Sequence, residues 1–422
     1  MKKIRLGCIA DDFTGATDLA NNLVRSGMRV VQTVGVPTEP LQVDADAVVV
    51  SLKSRTVAPE DAVSQSLAAL TWLQAQGAEQ FYFKYCSTFD STPLGNIGPV
   101  TEALMQALRT DFTIATPAFP DAGRTVFKGH LFVGDVLLNE SGMQDHPLTP
   151  MTDPNLMRVL QAQVKCQVGL VDYKCVAQGQ AAVEARIAQL KAQGVRIAIV
   201  DAVSNEDLYR LGPALSHLPL VTAGSGVAIA LGANFGISPN DQAGTLPKAA
   251  GFKAIVSGSC SRATNAQVAA FLAQGGQCFV VNPLALDAMQ AVVDEALAWA
   301  AQNLGNRPIL IYSTAQPDDL KAVQQKLGVE QAGALVEKTL ASIAVGLGRL
   351  GVKQLVVAGG ETSGAVVQAL EIDQLQIGSQ IDPGVPWCGG YSRAIDSMMH
   401  ITLKSGNFGS VDFFTQAFER IA

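Results

Sequence analysis

Short apolar runs alternate along the chain with longer stretches whose apolar positions recur at helical spacing. Ile4–Ala10, Val30–Val34, Ala47–Ser51, Gln80–Lys84, Phe112–Thr116, Val168–Val171, Arg196–Val200 and Leu220–Ala223 read as strands. Helical patterns lie between most of them, at Pro59–Gln76, Ile97–Leu108, Gln180–Gln193 and Glu206–Leu215. That alternation predicts a doubly wound, mostly parallel sheet. Arg124–Leu138 breaks the pattern, because Gly129 and Gly134 fall between apolar pairs, and it predicts a hairpin at the sheet's edge. Phe235–Gly251 has little periodicity and reads as a linker. A second series follows, with strands at Phe252–Ser257, Cys278–Val281, Ile309–Tyr312, Leu355–Ala358 and Met399–Leu403. Its helices are expected at Arg262–Gln274, Leu286–Asn303, Gln316–Leu327 and Gln331–Leu350. The expected layout is α/β with two domains, residues 1–234 and 252–422, joined by 235–251, each a mostly parallel sheet flanked by helices.

Size and charge narrow the reading. A chain of 422 residues is too long for one ordinary core. Its formal net charge of −7, with no clustered Lys and Arg, argues against a nucleic-acid or anionic-membrane surface. No window approaches the apolar length of a membrane span. Seven cysteines without a CxxC pair suit a reducing cytosol, so a cytoplasmic protein is expected. The start, MKKIRLGCIADD, reads as a first strand rather than a signal peptide.

The stretch LVVAGGETSG, Leu355–Gly364, is a buried strand that ends in Gly359 and Gly360 before a helix that Thr362 and Ser363 can cap. Glycines let a backbone approach a ligand closely, and free N–H groups at a helix start point at anionic oxygens. Two further glycine- and hydroxyl-rich turns follow strands, VSGSCSRAT (256–264) and LKSGNFG (403–409). Together the three describe a nucleotide pocket made of backbone N–H groups and hydroxyls. Neither GxxxxGK[ST] nor a well-placed GxGxxG occurs.

In open α/β sheets, ligands bind beyond the carboxyl ends of the strands. There the first half places Asp11 and Asp12 after its first strand, Lys53 and Arg55 in SLKSRT, and Lys84 at the end of an aromatic strand, followed by Asp90 and Ser91. One of two adjacent carboxylates can be a general base, and the plainer alternative is that one of them caps the following helix. A guanidinium can grip a carboxylate through two hydrogen bonds, and a lysine at a buried strand end is costly unless paired. PAFPDAGR adds Asp121 and Arg124, and His130 reads equally well as a structural residue.

With these stretches in order, the sequence resembles the four-carbon acid sugar kinases across nearly its whole length. The resemblance rests on ADDFTGATD, KSRT, FKYCSTFDST with GNIGPV, PDAGRTVFKGHLFVGDVLL, SGSCSRAT, AGGETSG, IDPGVPW and KSGNFG. KYCSTFDST looks like the 3-oxo acid branch rather than the threonate or erythronate branches. The resemblance implies an acid-sugar domain followed by a nucleotide domain, with the active site in the interdomain cleft. It also implies transfer of the ATP γ-phosphoryl group to O4 of a four-carbon acid, with Mg²⁺. ATP would meet Ser257, Ser259, Gly359, Gly360, Glu361, Thr362, Ser363 and Gly406. The acid would meet Asp11, Asp12, Lys53, Arg55, Lys84, Asp90 and Ser91. Asp12 is the expected catalytic base with Asp90 its competitor; metal ligands are unassigned, Glu361 being a candidate, and a homodimer is left open. The rivals are a sugar-acid binding protein without chemistry and a hydrolase using Ser259 with His400 as base.

Overall fold

The computed structural model describes residues 4–41, 44–146, 148–282, 289–313 and 329–421. The chain divides into two compact units, Met1–Ala243 and Gly244–Ala422. No helix among the described residues is long and apolar enough to cross a membrane.

The first unit runs β1 (Leu6–Ala10), α1 (Phe13–Arg25), β2 (Val30–Val34), β3 (Ala47–Ser51), α2 (Pro59–Ala75), β4 (Gln80–Lys84), α3 (Ile97–Ala107) and β5 (Thr113–Thr116). It continues with β6 (Arg124–Phe127), β7 (His130–Val133), β8 (Val136–Leu137), α4 (Leu156–Gln161), β9 (Gln167–Val171), α5 (Tyr173–Val176), α6 (Gln180–Ala192), β10 (Val195–Val200), α7 (Asn205–Leu211) and β11 (Leu220–Ala223). Its main sheet is parallel, in the order β2-β3-β1-β4-β11-β5-β10-β9. Strands such as Ala47–Ser51 are buried at every position, as a sheet covered on both faces requires. The chain winds from β1 outward to β2 and β3, then crosses back to β4. The direction of winding therefore reverses between β1 and β4, and at such a point the connecting loops part and open a crevice at the strands' carboxyl ends.

The expected edge hairpin at Arg124–Leu138 is corrected. β6, β7 and β8 form a separate three-stranded antiparallel sheet. Gly129 (φ 70°) and Gly134 (φ 58°) supply two left-handed turns, so the segment folds back twice and completes its own ladder. Asp201, fully buried at the end of β10, pins the first turn by accepting the N–H groups of Lys128 (2.7 Å), Gly129 (2.8 Å) and Tyr173 (2.8 Å).

The second unit runs β12 (Phe252–Ser257), α8 (Arg262–Ala273), β13 (Gln277–Val280), α9 (Met289–Asn303), β14 (Ile309–Tyr312), α10 (Val329–Arg349), β15 (Val352–Ala358) and α11 (Gly360–Ala369). It closes with β16 (Gln374–Asp382), β17 (Val385–Ser392), β18 (Ser397–Lys404) and α12 (Phe413–Gln416). Its strand order is β13-β14-β12-β15-β18-β17-β16, parallel as far as β18 and antiparallel beyond it. Winding reverses between β12 and β15. The sheet is thus more mixed than the sequence pattern predicts, and β16 and β17 were missed because their polar and glycine positions hide the strand alternation. The helix expected at Gln316–Leu327 lies outside the described residues.

Trp387 anchors the second core with Ile255, Leu310, Val356, Phe413 and Phe414, and its indole donates to the Ala417 carbonyl at 2.8 Å. Each such large side chain contributes about 1.5–3 kcal/mol by burial. The segment 235–251 is mostly exposed and is tied down at a few points. Asn240 donates to the Ser238 carbonyl (3.0 Å), Leu246 packs on the second core, and the Pro247 carbonyl meets the His400 ring at 2.8 Å.

Candidate functional site

At the reversal between β1 and β4, the sequence-predicted residues of the first unit converge. Asp12 is the N-cap of α1: its Oδ1 accepts the Gly15 N–H at 2.5 Å, while Oδ2 has no hydrogen bond among the described residues. The plain capping role therefore holds for one oxygen and leaves the other available. Burial raises Asp12, but the charges of Arg55 and Lys84 and the hydrogen bonds from Gly15 and Thr14 outweigh it, so the carboxyl lies below its ordinary range. Lys84, 3% exposed at the end of β4, has neither a hydrogen bond nor an ion pair for its ammonium among the described residues. A Cβ at position 15 would sit 2.2 Å from that nitrogen, which explains the glycine in ADDFTGATD.

Arg55 already has a carboxylate partner within the chain. Its Nε and Nη2 hold Asp11 Oδ2 (3.0 Å) and Oδ1 (2.9 Å), with Asp12 at 3.4 Å and Asp90 at 4.0 Å. Two of its donors are thus engaged by Asp11, while Nη1 has no hydrogen bond among the described residues. Ser91 is likewise engaged, its hydroxyl accepting from Gln163 at 2.7 Å. Asn96 clamps the KSRT loop by donating to the carbonyls of Ser54, Arg55 and Val57. Asp90 accepts from Thr88 at 2.6 Å in a turn where Phe89 adopts φ 55°, a costly conformation for an aromatic residue. Lys53 is exposed in the same loop. His130 bonds the Lys128 carbonyl and Asn155 and is structural.

Two residues were passed over. Arg124, noted in the sequence but not assigned to the site, has a buried Nε with no partner among the described residues, and its Nη1 donates to the Ala122 carbonyl. Its loop is rigid: Phe119 and Arg124 exchange both backbone hydrogen bonds, and Asp121 is held by Arg25 (2.8 Å) and Asn205 (2.7 Å). Asp18 lies deeper in α1, accepts from Ser225, leaves Oδ1 unpartnered among the described residues, and is pushed up to about 6 by burial against the opposing charges of Lys84 and Arg124.

In the second unit the three glycine turns meet at the reversal between β12 and β15 and at the neighbouring β18. The Gly258 N–H donates to the Ala358 carbonyl (3.0 Å), and the Gly359 N–H to that of Lys404 (2.8 Å). Ser257 is fully buried at the end of β12, and Ser259 bonds Ser261, the N-cap of α8. A Cβ at Gly406 would lie 2.6 Å from Ser259 Oγ, and one at Gly258 would lie 2.4 Å from Thr362 Oγ1, so the turns touch at glycines. Thr362 and Ser363 do not cap α11. The helix starts at Gly360 behind Gly359 (φ 124°), which places both hydroxyls and the exposed Glu361 in its first turn. The His400 ring is spent on Pro247, which leaves Ser259 without the base a hydrolase would require.

A crevice with a buried, unspent cation beside a free carboxylate oxygen, and a second sheet whose reversal gathers three N–H-rich turns, are the parts of a small-molecule kinase. Residues 6–231 match the sugar-binding N-terminal domain family and residues 254–414 the nucleotide-binding C-terminal domain family. The chain is 61% identical to a 3-oxo-tetronate kinase of Burkholderia multivorans over 98% of its own length and 96% of the relative's. It is 58% identical to one of Pseudomonas fluorescens over 99% and 97%. A solved structure of a Haemophilus influenzae protein superposes with a TM-score of 0.82 at 46% identity, covering 99% of this chain and 100% of that one. The chain belongs to the four-carbon acid sugar kinases. It is an ATP-dependent sugar acid kinase, with a sugar-binding unit followed by a nucleotide-binding unit.

Proposed function

We propose that the protein transfers the γ-phosphoryl group of ATP to the terminal O4 of 3-oxo-tetronate, giving the 4-phosphate. The substrate is supported by the full-length likeness to 3-oxo-tetronate kinases. The observation that carries the chemistry is the pairing of Lys84, buried and unspent, with the unengaged Oδ2 of Asp12. Lys84 and Arg124 bind the acid's carboxylate, because among the described residues the Lys84 ammonium has no partner and Arg124 keeps its Nε free, while Nε and Nη2 of Arg55 hold Asp11. Asp12 Oδ2 takes the O4 proton as the phosphoryl group arrives. A base of depressed pKa suits this reaction, since a loose transition state needs the proton removed late. Asp90, tied to Thr88, shapes the turn beside it.

ATP lies against Ser257, Ser259, Gly359, Gly360, Glu361, Thr362, Ser363 and Gly406. Among the described residues no group of three or more His, Cys, Asp or Glu could hold a metal. Mg²⁺ fits this nucleotide site as an ion carried mainly by the phosphates and water, with Glu361 the carboxylate at hand, and when bound it supplies charge neutralisation. The seven free cysteines support a reducing, cytoplasmic setting.

The test is ADP release across a panel of four-carbon acids varied at the carboxylate, the keto group and each hydroxyl. Turnover should be highest for the 3-oxo acid and absent for acids lacking O4. Preference for threonate or erythronate would replace the substrate assignment, and no ADP from any acid would sink the reading.

A further inference from the structure

Lys404, at the end of β18, is fully buried, and no carboxylate neutralises it. Its ammonium instead donates to the carbonyls of Ser405 (3.0 Å), Gly406 (3.2 Å) and Phe408 (3.1 Å) and to the Thr264 hydroxyl (3.0 Å). The Thr264 hydroxyl in turn donates to the Gly406 carbonyl (2.9 Å), to which Ser261 also donates. Gln267 extends the same pattern, its amide reaching the carbonyls of Phe408 (3.1 Å), Gly409 (3.0 Å) and Ser410 (3.0 Å). The carbonyls of KSGNFG are thus collected from beneath by one cation and one amide.

In a trans peptide the C=O of one residue and the N–H of the next point in opposite directions. The chain has no cis peptide among the described residues. Carbonyls 405, 406 and 408 turned toward Lys404 therefore turn the N–H groups of Gly406, Asn407 and Gly409 away from it. Those three amides have no acceptor among the described residues, whereas the Phe408 amide bonds Ser405 and the Ser410 amide bonds Asp382. Successive outward amides over a buried positive charge form an anion-binding concavity.

We propose that Lys404 is a positioning residue of the nucleotide site: by drawing the loop's carbonyls inward it presents the amides of Gly406, Asn407 and Gly409 to the phosphates of ATP. The proposal rests on the reading that the Gly406 turn meets the nucleotide. Lys404 replaces a Walker lysine in charge but not in contact, since it acts through the backbone from below the loop. Burial lowers its pKa to about 7. The titratable side chains on the elements around it are Lys253, Arg262, Lys353, Glu361, Asp382, Cys388, Tyr391 and His400, and burial rather than any of these is the cause of the shift. Phosphates placed above the loop would raise that pKa again, so ATP binding should take up a proton and weaken as pH rises through the bound value.

Hydrogen exchange of the 404–410 segment with and without Mg-ATP, in the absence of acid, separates the two levels. Protection in the wild type supports the reading of the loop, and no protection overturns that reading and with it the proposal. Lys404→Met should abolish the protection and raise KM for ATP by about tenfold or more, with KM for the acid little changed. Protection in the wild type that survives unaltered in Lys404→Met, at unchanged KM for ATP, overturns the role of Lys404 alone. Should Lys404→Met fail to fold, Thr264→Val, which removes one acceptor of the Lys404 ammonium and one donor to the Gly406 carbonyl, takes its place in the same exchange measurement: reduced protection of the 404–410 segment supports the proposal, and unaltered protection overturns it.

Discussion

Arg55 and Asp11 form a two-point ion pair, Nε to Oδ2 at 3.0 Å and Nη2 to Oδ1 at 2.9 Å, with the Arg55 side chain 22% and the Asp11 side chain 7% exposed. The pair closes the KSRT loop onto the end of β1, where the Asp11 carbonyl also accepts the Ser54 and Arg55 amides. Arg55→Met should therefore act on stability first. Removing one partner leaves Asp11 buried and uncompensated, a loss of about 3–5 kcal/mol for a buried pair and toward the lower end here. Arg55→Met/Asp11→Asn should recover part of it. Urea unfolding of the three variants is the measurement, and a fully stable Arg55→Met with only its KM for the acid raised would return Arg55 to the substrate.

The unspent cations lead to a different expectation. Lys84→Met and Arg124→Met should each raise KM for the sugar acid by about tenfold or more while KM for ATP stays within about twofold, because the lost contact precedes the chemical step. A neutral analogue in which an amide replaces the carboxylate should discriminate poorly between wild type and variants. Equal losses for acid and analogue would place both residues elsewhere.

Asp12→Asn keeps an acceptor for the Gly15 N–H but cannot take a proton. Its kcat should fall by about 10²–10⁴ with ATP affinity nearly unchanged. Asp90→Asn, measured alongside at saturating substrates, should fall far less. A reversed order would make Asp90 the base.

Asp18 ties stability to pH. Its folded pKa of about 6 exceeds the ordinary aspartate value of 3.8, so the unfolded chain releases this proton more readily. The group therefore costs stability as pH rises from about 4 to about 6, and the full penalty, at most about 3 kcal/mol, persists above that. Asp18→Asn should be more stable relative to wild type at pH 7 than at pH 4. Denaturant midpoints at the two values check it, and a pH-independent difference would mean that Asp18 ionises normally in the fold.

Much of the architecture was legible before any coordinates. The strands Gln80–Lys84, Leu220–Ala223, Phe252–Ser257 and Ile309–Tyr312 form where the apolar runs placed them. Strands buried on both faces leave unbroken apolar runs, and helices a spacing near 3.6, so both periods are written locally. The β6–β8 sheet and the β16–β17 pair were misread or missed because antiparallel ladders with glycines and polar positions carry a weaker local signal. The strand-end loops that carry the candidate residues could likewise be read from the sequence, since the reversals of winding at β1/β4 and β12/β15 fall where those loops leave the sheet.

The sequence by itself determined the two α/β halves, the strand-end motifs and the family to which they belong. Only the tertiary structure decided which of those motif residues have hydrogen-bonding capacity to spare. Arg55 and Arg124 are both arginines beyond a strand or before one, and no local pattern says that Asp11 occupies the first while the second keeps its Nε unpaired. Lys404 sits in an apolar strand end much as Lys84 does, yet one folds its own loop's carbonyls around itself and the other faces Gly15 with no partner among the described residues. Hydrogen-bond occupancy depends on how a loop folds back on itself and on partners such as Asp11 for Arg55 and Thr264 for Lys404, 44 and 140 residues away, which only the fold brings within about 3 Å.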